Sequence, residues 1–209
     1  HDLLVQGRAS FDLFVRPEAR RCGTGSLLYE RVVQAAKKAG VNTLRVNVSD
    51  IDKESHAFAG KRGFKENRHQ FPMCLNLEAF DDRPYEPVIT RLKEQGFIFS
   101  SMETLGDNQE NQRKLFALND TAAASTPGTN GEHSWGSFED FQKRVCQTEW
   151  YKPGGQIMAI DTGNGTWAAM SAITRLEGND YAYNLFTGVD MAYRGRKLGQ
   201  AVKVLALRY

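Results

Sequence analysis

Phe11, Leu13 and Val15 recur at every second position, the period of a strand, and Arg16-Pro17-Glu18 ends the run because proline removes a ladder donor. After a glycine-containing turn, Leu28, Val32, Ala35 and Ala39 recur at spacings of four, three and four. This predicts a helix with those residues on one face, closed by Gly40. Leu44, Val46 and Val48 alternate again, a polar helix is predicted from about Lys53 to Arg62, and Gly63-Phe64 leads to a last alternating run, Phe71, Met73, Leu75 and Leu77. The first segment therefore reads β-α-β-α-β.

Asp81-Asp82-Arg83-Pro84-Tyr85-Glu86-Pro87 carries two prolines and no apolar period, so residues 81–95 are the predicted linker between segments 1–80 and 96–209. The second segment opens with a strand-like run from Phe97 to Leu105 and a helix that turns Leu115, Leu118 and Ala122 inward. Ser137-Phe138-Glu139-Asp140 is a loose capping box, with Phe138, Phe141 and Val145 as the buried stripe of a second helix. Three strand-like runs follow, Gln156 to Asp161, Thr166 to Leu176 and Tyr181 to Val189, separated by Thr162-Gly163-Asn164-Gly165 and Glu177-Gly178-Asn179-Asp180. A final helix is predicted from near Gly195 and still runs at Tyr209.

The chain has 209 residues, 41% hydrophobic and 25% charged, which is enough to build a core and excludes disordered or fibrous classes. Lys and Arg number 27 against 25 Asp and Glu, a net charge of +2, so nothing suggests a nucleic-acid partner and any anion site must be local. No apolar run reaches the roughly 18 residues of a membrane span, so no membrane partner is expected. The three cysteines, Cys22, Cys74 and Cys146, are too few and scattered for a disulfide framework, which favours a reducing, cytoplasmic home. No His/Cys/Asp cluster has metal spacing, and no metal is expected. The first residue, His1, is not a natural start.

The chain repeats itself. Val15-Arg16-Pro17-Glu18-Ala19-Arg20 pairs with Val189-Asp190-Met191-Ala192-Tyr193-Arg194, and Gly25 with Gly199, each partner lying 174 residues on (15 to 189, 20 to 194, 25 to 199). Each copy sits at the end of a strand, before an arginine-bearing loop and a helix. Such a loop aims consecutive backbone N–H groups, and the positive end of the helix dipole, at an anion. Gly23 and Gly25 allow close backbone approach, and Arg20 and Arg21 could add charge-assisted hydrogen bonds to phosphate oxygens. A tight turn with solvated arginines is the bland alternative, which the repeat disfavours. A Walker A loop is absent. The dinucleotide fingerprint fails at Leu28, although Asp50 could still play its ribose-binding acid, so a nucleotide-binding α/β protein stays open as an alternative.

Arg20-Arg21-Cys22-Gly23-Thr24-Gly25 resembles the acetyl-CoA signature Gln/Arg-x-x-Gly-x-Gly/Ala of the GNAT N-acetyltransferases, and Phe58-Ala59-Gly60-Lys61-Arg62-Gly63-Phe64 is similar to that family's helix-to-strand element. The resemblance implies an α/β fold with a mixed sheet of the α+β kind. It further implies two tandem acyltransferase-type domains, each incomplete: the C-terminal half of a first domain over 1–80, the linker, and the N-terminal half of a second over 96–209. A permuted or swapped single domain ranks below this arrangement. Two whole domains would need roughly 300 residues, so the chain reads as an internal portion of a longer protein.

The implied activity is transfer of an acetyl group from acetyl-CoA to a primary amine of a small molecule by direct attack. Backbone at Phe14 and Val15 would bind the pantetheine arm, and Arg20-Arg21-Cys22-Gly23-Thr24-Gly25-Ser26 the diphosphate. The second copy would use Val189 and Arg194-Gly195-Arg196-Lys197-Leu198-Gly199-Gln200, with Lys197, and its Cβ, where the first signature glycine is expected. The family's tyrosine acid falls on Ala59 and its asparagine on Asp52, so the catalytic residues are unknown. His56 and Asp12 are candidate bases by neighbourhood alone, and Cys22 reads as a tolerated small residue rather than a nucleophile. Trp135, Trp150 and Tyr151 either line an acceptor cleft or, the favoured reading, pack as core and rim. A catalytically degenerate CoA-binding or structural domain is the competing class, and a homodimer is a further expectation.

Overall fold

The computed structural model describes residues 7–71, 73–126 and 134–209, so Pro72, within the last alternating run, and the opening residues 1–6 lie outside the described residues. The chain divides into two compact units, His1–Cys74 and Leu75–Tyr209.

In the first unit, β1 (Arg8–Ser10) pairs in parallel with β2 (Thr43–Arg45), Ala9 opposite Leu44. Helix α1 (Thr24–Lys38) joins them and α2 (Lys53–Gly60) follows. Gly40, at φ +71°, takes the left-handed conformation beyond the end of α1, as predicted. The inward stripe of α1 differs from the predicted one. Tyr29, Val32, Val33 and Ala36 are half-buried, whereas Leu28 and Ala35 are exposed. The reason is aromatic packing: Tyr29 lies 6.1 to 6.4 Å from the rings of Phe11, Phe58 and Phe64, which rotates the helix toward it.

The predicted strands of this unit are shorter or absent. The run through Phe11, Leu13 and Val15 lies beyond β1 and joins no strand, although the Phe11 amide donates to the Arg45 carbonyl. Val46 and Val48 lie beyond β2, and the described residues from 71 to 77 form no strand. Phe71 and Met73 are 75% and 94% exposed, so alternation without an edge to pair with does not make a strand. No described residue of this unit is buried.

The second unit begins at Leu75, ahead of the predicted linker, and takes in all of residues 81–95. Residues Arg83–Tyr85 form a 3-10 turn, and α3 (Glu86–Glu94) buries Ile89 and Leu92. Pro84 and Pro87 each occupy a first-turn position, where a missing N–H costs nothing, so they start helical turns instead of marking a flexible joint. Strand β3 (Phe97–Ser101) stops earlier than predicted because Ser101 caps α4 (Met102–Leu105), its hydroxyl accepting the Thr104 amide at 3.1 Å. Asn108 likewise caps α5 (Gln109–Ala124), which buries Leu115, Leu118 and Ala122 as the spacing predicts. Ser137 caps α6 (Phe138–Phe141) through the Asp140 amide, and the chain continues as a π turn over Gln142–Cys146.

Three strands complete an antiparallel sheet of order β3-β4-β5-β6: β4 (Gln156–Asp161), β5 (Trp167–Arg175) and β6 (Ala182–Val189). They fall within a residue or two of the predicted runs. Strand β5 is buried over Trp167–Thr174. Ala168 and Ala169 pack with α3 and α7 (Leu198–Leu207) in one cluster, while Trp167, Met170 and Ala172 pack with α5 and α6 in another. Helix α7 ends at Leu207, two residues before the predicted span does. Among the described residues no helix is long and apolar enough to cross a membrane.

Candidate functional site

The repeat seen in the sequence is a repeat of backbone conformation. Arg16 and Asp190 share φ near −55° (−56° and −55°), Arg20 and Arg194 are both extended, and Arg21 and Gly195 are left-handed (φ +63° and +80°). Gly23 and Lys197 are left-handed N-caps, at φ +86° and +68°, of helices that begin at Thr24 and Leu198. Each equivalence is again 174 residues (16 to 190, 20 to 194, 23 to 197). In both loops the N-cap offers no side-chain hydrogen bond, and the backbone N–H groups of residues 21–25 and 195–199 find no acceptor among the described residues. Five consecutive unpaired donors at a helix N-terminus make an anion cradle.

The two glycines of the first loop serve different ends. A Cβ on Gly23 would meet no protein atom within 4 Å, so that position requires a left-handed backbone and not room. Lys197 adopts the same conformation, and the expected obstruction by its Cβ gives way to a purely conformational cost of about 1 kcal/mol or more. A Cβ on Gly25 would lie 3.2 Å from the Phe58 ring, and on Gly199 3.0 Å from Val189. Here the small residue lets the helix sit against its neighbours.

The first loop opens on a cavity of about 710 Å³ within the first unit. Of the residues picked from the sequence, Phe14, Val15, Arg20, Arg21, Gly23, Gly25 and Ser26 line it, together with Asp12, whereas Cys22, Thr24 and His56 do not. Arg20 donates from Nε to the Val15 carbonyl at 3.0 Å, tying the loop to the chain before it. Arg21 pairs with Glu54, and His56 faces Asp50 at 3.7 Å. Asp52, at the family's asparagine position, caps α2: it accepts from the Ser55 hydroxyl at 2.6 Å and the Ser55 amide at 3.0 Å, and those bonds hold its carboxyl below the ordinary value.

Arg62 was missed in the sequence. Its guanidinium lies 3.4 Å from the Phe58 ring centre and donates to Ser26 Oγ at 2.8 Å and to the Phe58 carbonyl at 3.0 Å, clamping α2 to the first turn of α1 at the cavity wall. The available signal was an aromatic residue in the last turn of a helix, four positions before an arginine just beyond its end.

In the second unit the loop residues are more occupied. Arg194 donates to Ser125, Arg196 lies over the rings of Phe97 and Tyr193 at 5.5 and 5.6 Å, and the Leu198 side chain is core. Gln200 sits in the first turn of α7. Trp135, Trp150 and Tyr151 line a separate cavity of about 410 Å³, bounded by α5, α6 and the sheet. The Tyr151 hydroxyl donates to Asp107 Oδ1 at 2.7 Å, and burial, followed by that bond, pushes its ionisation far above the ordinary range, so it stays neutral.

Cys22 and Cys74 are exposed, while burial, and then the charge of Asp107, pushes the Cys146 thiol up to about 12. Because the thiolate is the nucleophile, iodoacetamide at pH 8 should label Cys22 and Cys74 first and Cys146 at least about tenfold more slowly. Time-resolved peptide mass spectrometry reads this directly, and equal rates would refute it.

Residues 7–64 match the model of the acetyltransferase (GNAT) family. No curated protein sequence matches the chain. Among solved structures, a GCN5-related N-acetyltransferase from Sphaerobacter thermophilus is 14% identical with a TM-score of 0.63, covering 97% of this chain and 60% of its own. A tandem GNAT protein from the clavulanic acid biosynthesis pathway, solved without acetyl-CoA, is 20% identical with a TM-score of 0.60, covering 97% and 62%. A glucosamine N-acetyltransferase region of a fungal multi-domain GH3 β-N-acetylglucosaminidase is 15% identical with a TM-score of 0.64, covering 95% and 25%. The chain thus spans about three-fifths of the length of two of these proteins and a quarter of the third. The likeness to the family model is confined to residues 7–64, and the chain as a whole shares the mixed α/β fold of these structures.

Proposed function

We propose that this chain is part of a tandem N-acetyltransferase that binds acetyl-CoA at the loop from Arg20 to Ser26 and transfers the acetyl group to a primary amine of a small molecule. The observation that carries the reading is the run of five unpaired backbone donors, 21–25, opening with Arg20 onto the 710 Å³ cavity of a segment that matches the acetyltransferase family. Those donors fit a diphosphate, whose charge the α1 dipole and Arg20 would offset. The cavity, walled by Phe14, Val15, Val46 and Val48, suits the slender pantetheine arm. When bound, acetyl-CoA supplies the acetyl group as a thioester. The chain's own part is then to hold the diphosphate, to align the arm along the backbone at Phe14 and Val15, and to place the thioester for attack.

The tandem arrangement is supported by how the two repeats pair. By the 174-residue offset, Arg8 of β1 corresponds to Ala182 of β6. Strand β6 uses one edge, pairing antiparallel with β5, and β1 is paired in parallel with β2. In this reading the two units are complementary stretches of one sheet plan, the later half of one domain followed by the earlier half of the next.

A second reading, a CoA-binding domain without turnover, is favoured by one observation: Ala59 stands on the cavity wall at the family's tyrosine position and offers no proton to a leaving thiolate. Calorimetric titration of acetyl-CoA into the wild type, Arg20→Ala and Arg194→Ala, followed by thiol-release assays with primary amines, separates these readings. Arg20→Ala should weaken binding about tenfold or more, the loss of a charged hydrogen bond. Binding that weakens with Arg194→Ala as well would mean two working loops. Binding without thiol release would favour the second reading, and no binding by folded wild type would overturn both.

A further inference from the structure

The cavity of the second unit is lined by a polar side chain that has no hydrogen-bond partner among the described residues. Gln156, the first residue of β4, is 2% exposed and lines the cavity, yet its carboxamide makes no hydrogen bond among the described residues. Of the neighbouring polar side chains, Asn119, Thr148 and Tyr151 are already engaged, and Arg144 also lines the cavity. Asn119 accepts from Trp135 Nε1 at 2.7 Å and donates to Met170 Sδ at 3.7 Å. Thr148 donates to the Val145 carbonyl at 2.8 Å, and Tyr151 to Asp107. A buried carboxamide is expected to be paired, so an unpaired one facing a cavity marks a place for a ligand.

The walls limit what that ligand can be. Trp135, Phe141, Tyr151 and Phe186 line the cavity with Trp150, 42% exposed, at its rim, and they offer flat aromatic faces. A carboxamide presents one donor beside one acceptor, and its complement is a group with the same pair reversed. We infer that this cavity binds a planar ring compound whose edge carries an N–H beside a C=O, the lactam edge, with Gln156 reading that edge and the aromatic residues stacking on the ring. This site lies wholly in the second unit, and the inference is independent of acetyl-CoA binding at the first loop.

The test compares three probes of similar shape by calorimetry on the whole chain: 2-quinolone, 1-methyl-2-quinolone and naphthalene. The first should bind saturably, and the other two, lacking the lactam N–H or the whole edge, about tenfold more weakly, the worth of one or two hydrogen bonds. Gln156→Leu should abolish the preference among the probes while leaving the binding of naphthalene unchanged or improved. Saturable binding of all three with equal affinity would overturn the assignment, because it would describe an apolar hole. Absence of binding by any of them would overturn it too. The preference is read on the wild type, so the inference stays testable if Gln156→Leu fails to fold.

Discussion

Gly23→Val is expected to weaken acetyl-CoA binding by about 10- to 30-fold, while Gly23→Asn stays within about threefold of the wild type. Gly23 holds φ +86° and caps α1 without a side-chain hydrogen bond. A left-handed conformation costs an ordinary L-residue about 1 to 2 kcal/mol, more when the side chain branches at Cβ, whereas asparagine tolerates it. Because a Cβ at this position would have no protein atom within 4 Å, the penalty is purely conformational, and the loop can relieve it only by swinging its amides out of line. Each kcal/mol lost from the cradle appears as roughly a fivefold rise in Kd. Titration calorimetry with a parallel thermal melt separates the effects: the melts should move little, because no described residue of this unit is buried. Unchanged affinity in Gly23→Val would mean that the diphosphate is held elsewhere. Lys197 makes the complementary point, since it holds φ +68° with a long unbranched side chain, which is the kind of residue able to bear that strain.

What the sequence disclosed and what it hid divide along a physical line. Local determinants were legible. The capping serine Ser137, the strand-like run Gln156–Asp161 with its following turn signal and the 3.6-residue stripe Leu115, Leu118, Ala122 all act within a few residues and appear where the sequence places them. The two repeated loops were legible for a stronger reason: a strict offset of 174 residues reproduced left-handed positions, extended positions and helix starts together. Pairing partners were not legible. Among the described residues, Phe71 to Leu77 alternates well but pairs with no strand, so period two without a partner edge did not make one. Prolines 84 and 87 misled in a different way, because their meaning depends on whether a helix begins at them, which only the burial of Ile89 and Leu92 reveals.

The candidate sites show the same limit. Loop residues could be named from glycines and arginines, but Arg62 reaches Ser26 across 36 positions, and Gln156 shares a cavity with Asn119 and Trp135 from two other parts of the chain. Neither contact leaves a periodic mark. Trp135, Trp150 and Tyr151 line one cavity, and Trp135 and Tyr151 also pack in the core beside α5 and α6.

Gly155→Ala should be the most damaging single methyl in the second unit, lowering its stability by about 3 kcal/mol and its melting temperature by roughly 10 °C. A Cβ at this position would stand 2.3 Å from the Ile173 carbonyl oxygen and 3.2 Å from both Ile173 Cγ2 and a Tyr209 ring carbon. The first of these is backbone in β5, paired through Ile173 to Asn184 of β6, so it cannot rotate away as a side-chain tip would. Relief requires β4 and β5 to part at a point where Gln156 pairs with Ala172, in a sheet whose β5 is buried over eight of its nine residues. Gly155 is not in the left-handed region, so conformation contributes nothing and the whole cost is steric. Gly60→Ala is the matched control: it lies in α2, a Cβ there meets nothing within 4 Å, and the change should be neutral or stabilise by up to about 1 kcal/mol through helix propensity. Chemical denaturation of the two variants reads both effects, and a Gly155→Ala melt within 2 °C of wild type, against the roughly 10 °C expected, would mean that the two strands are not packed as closely as this contact requires.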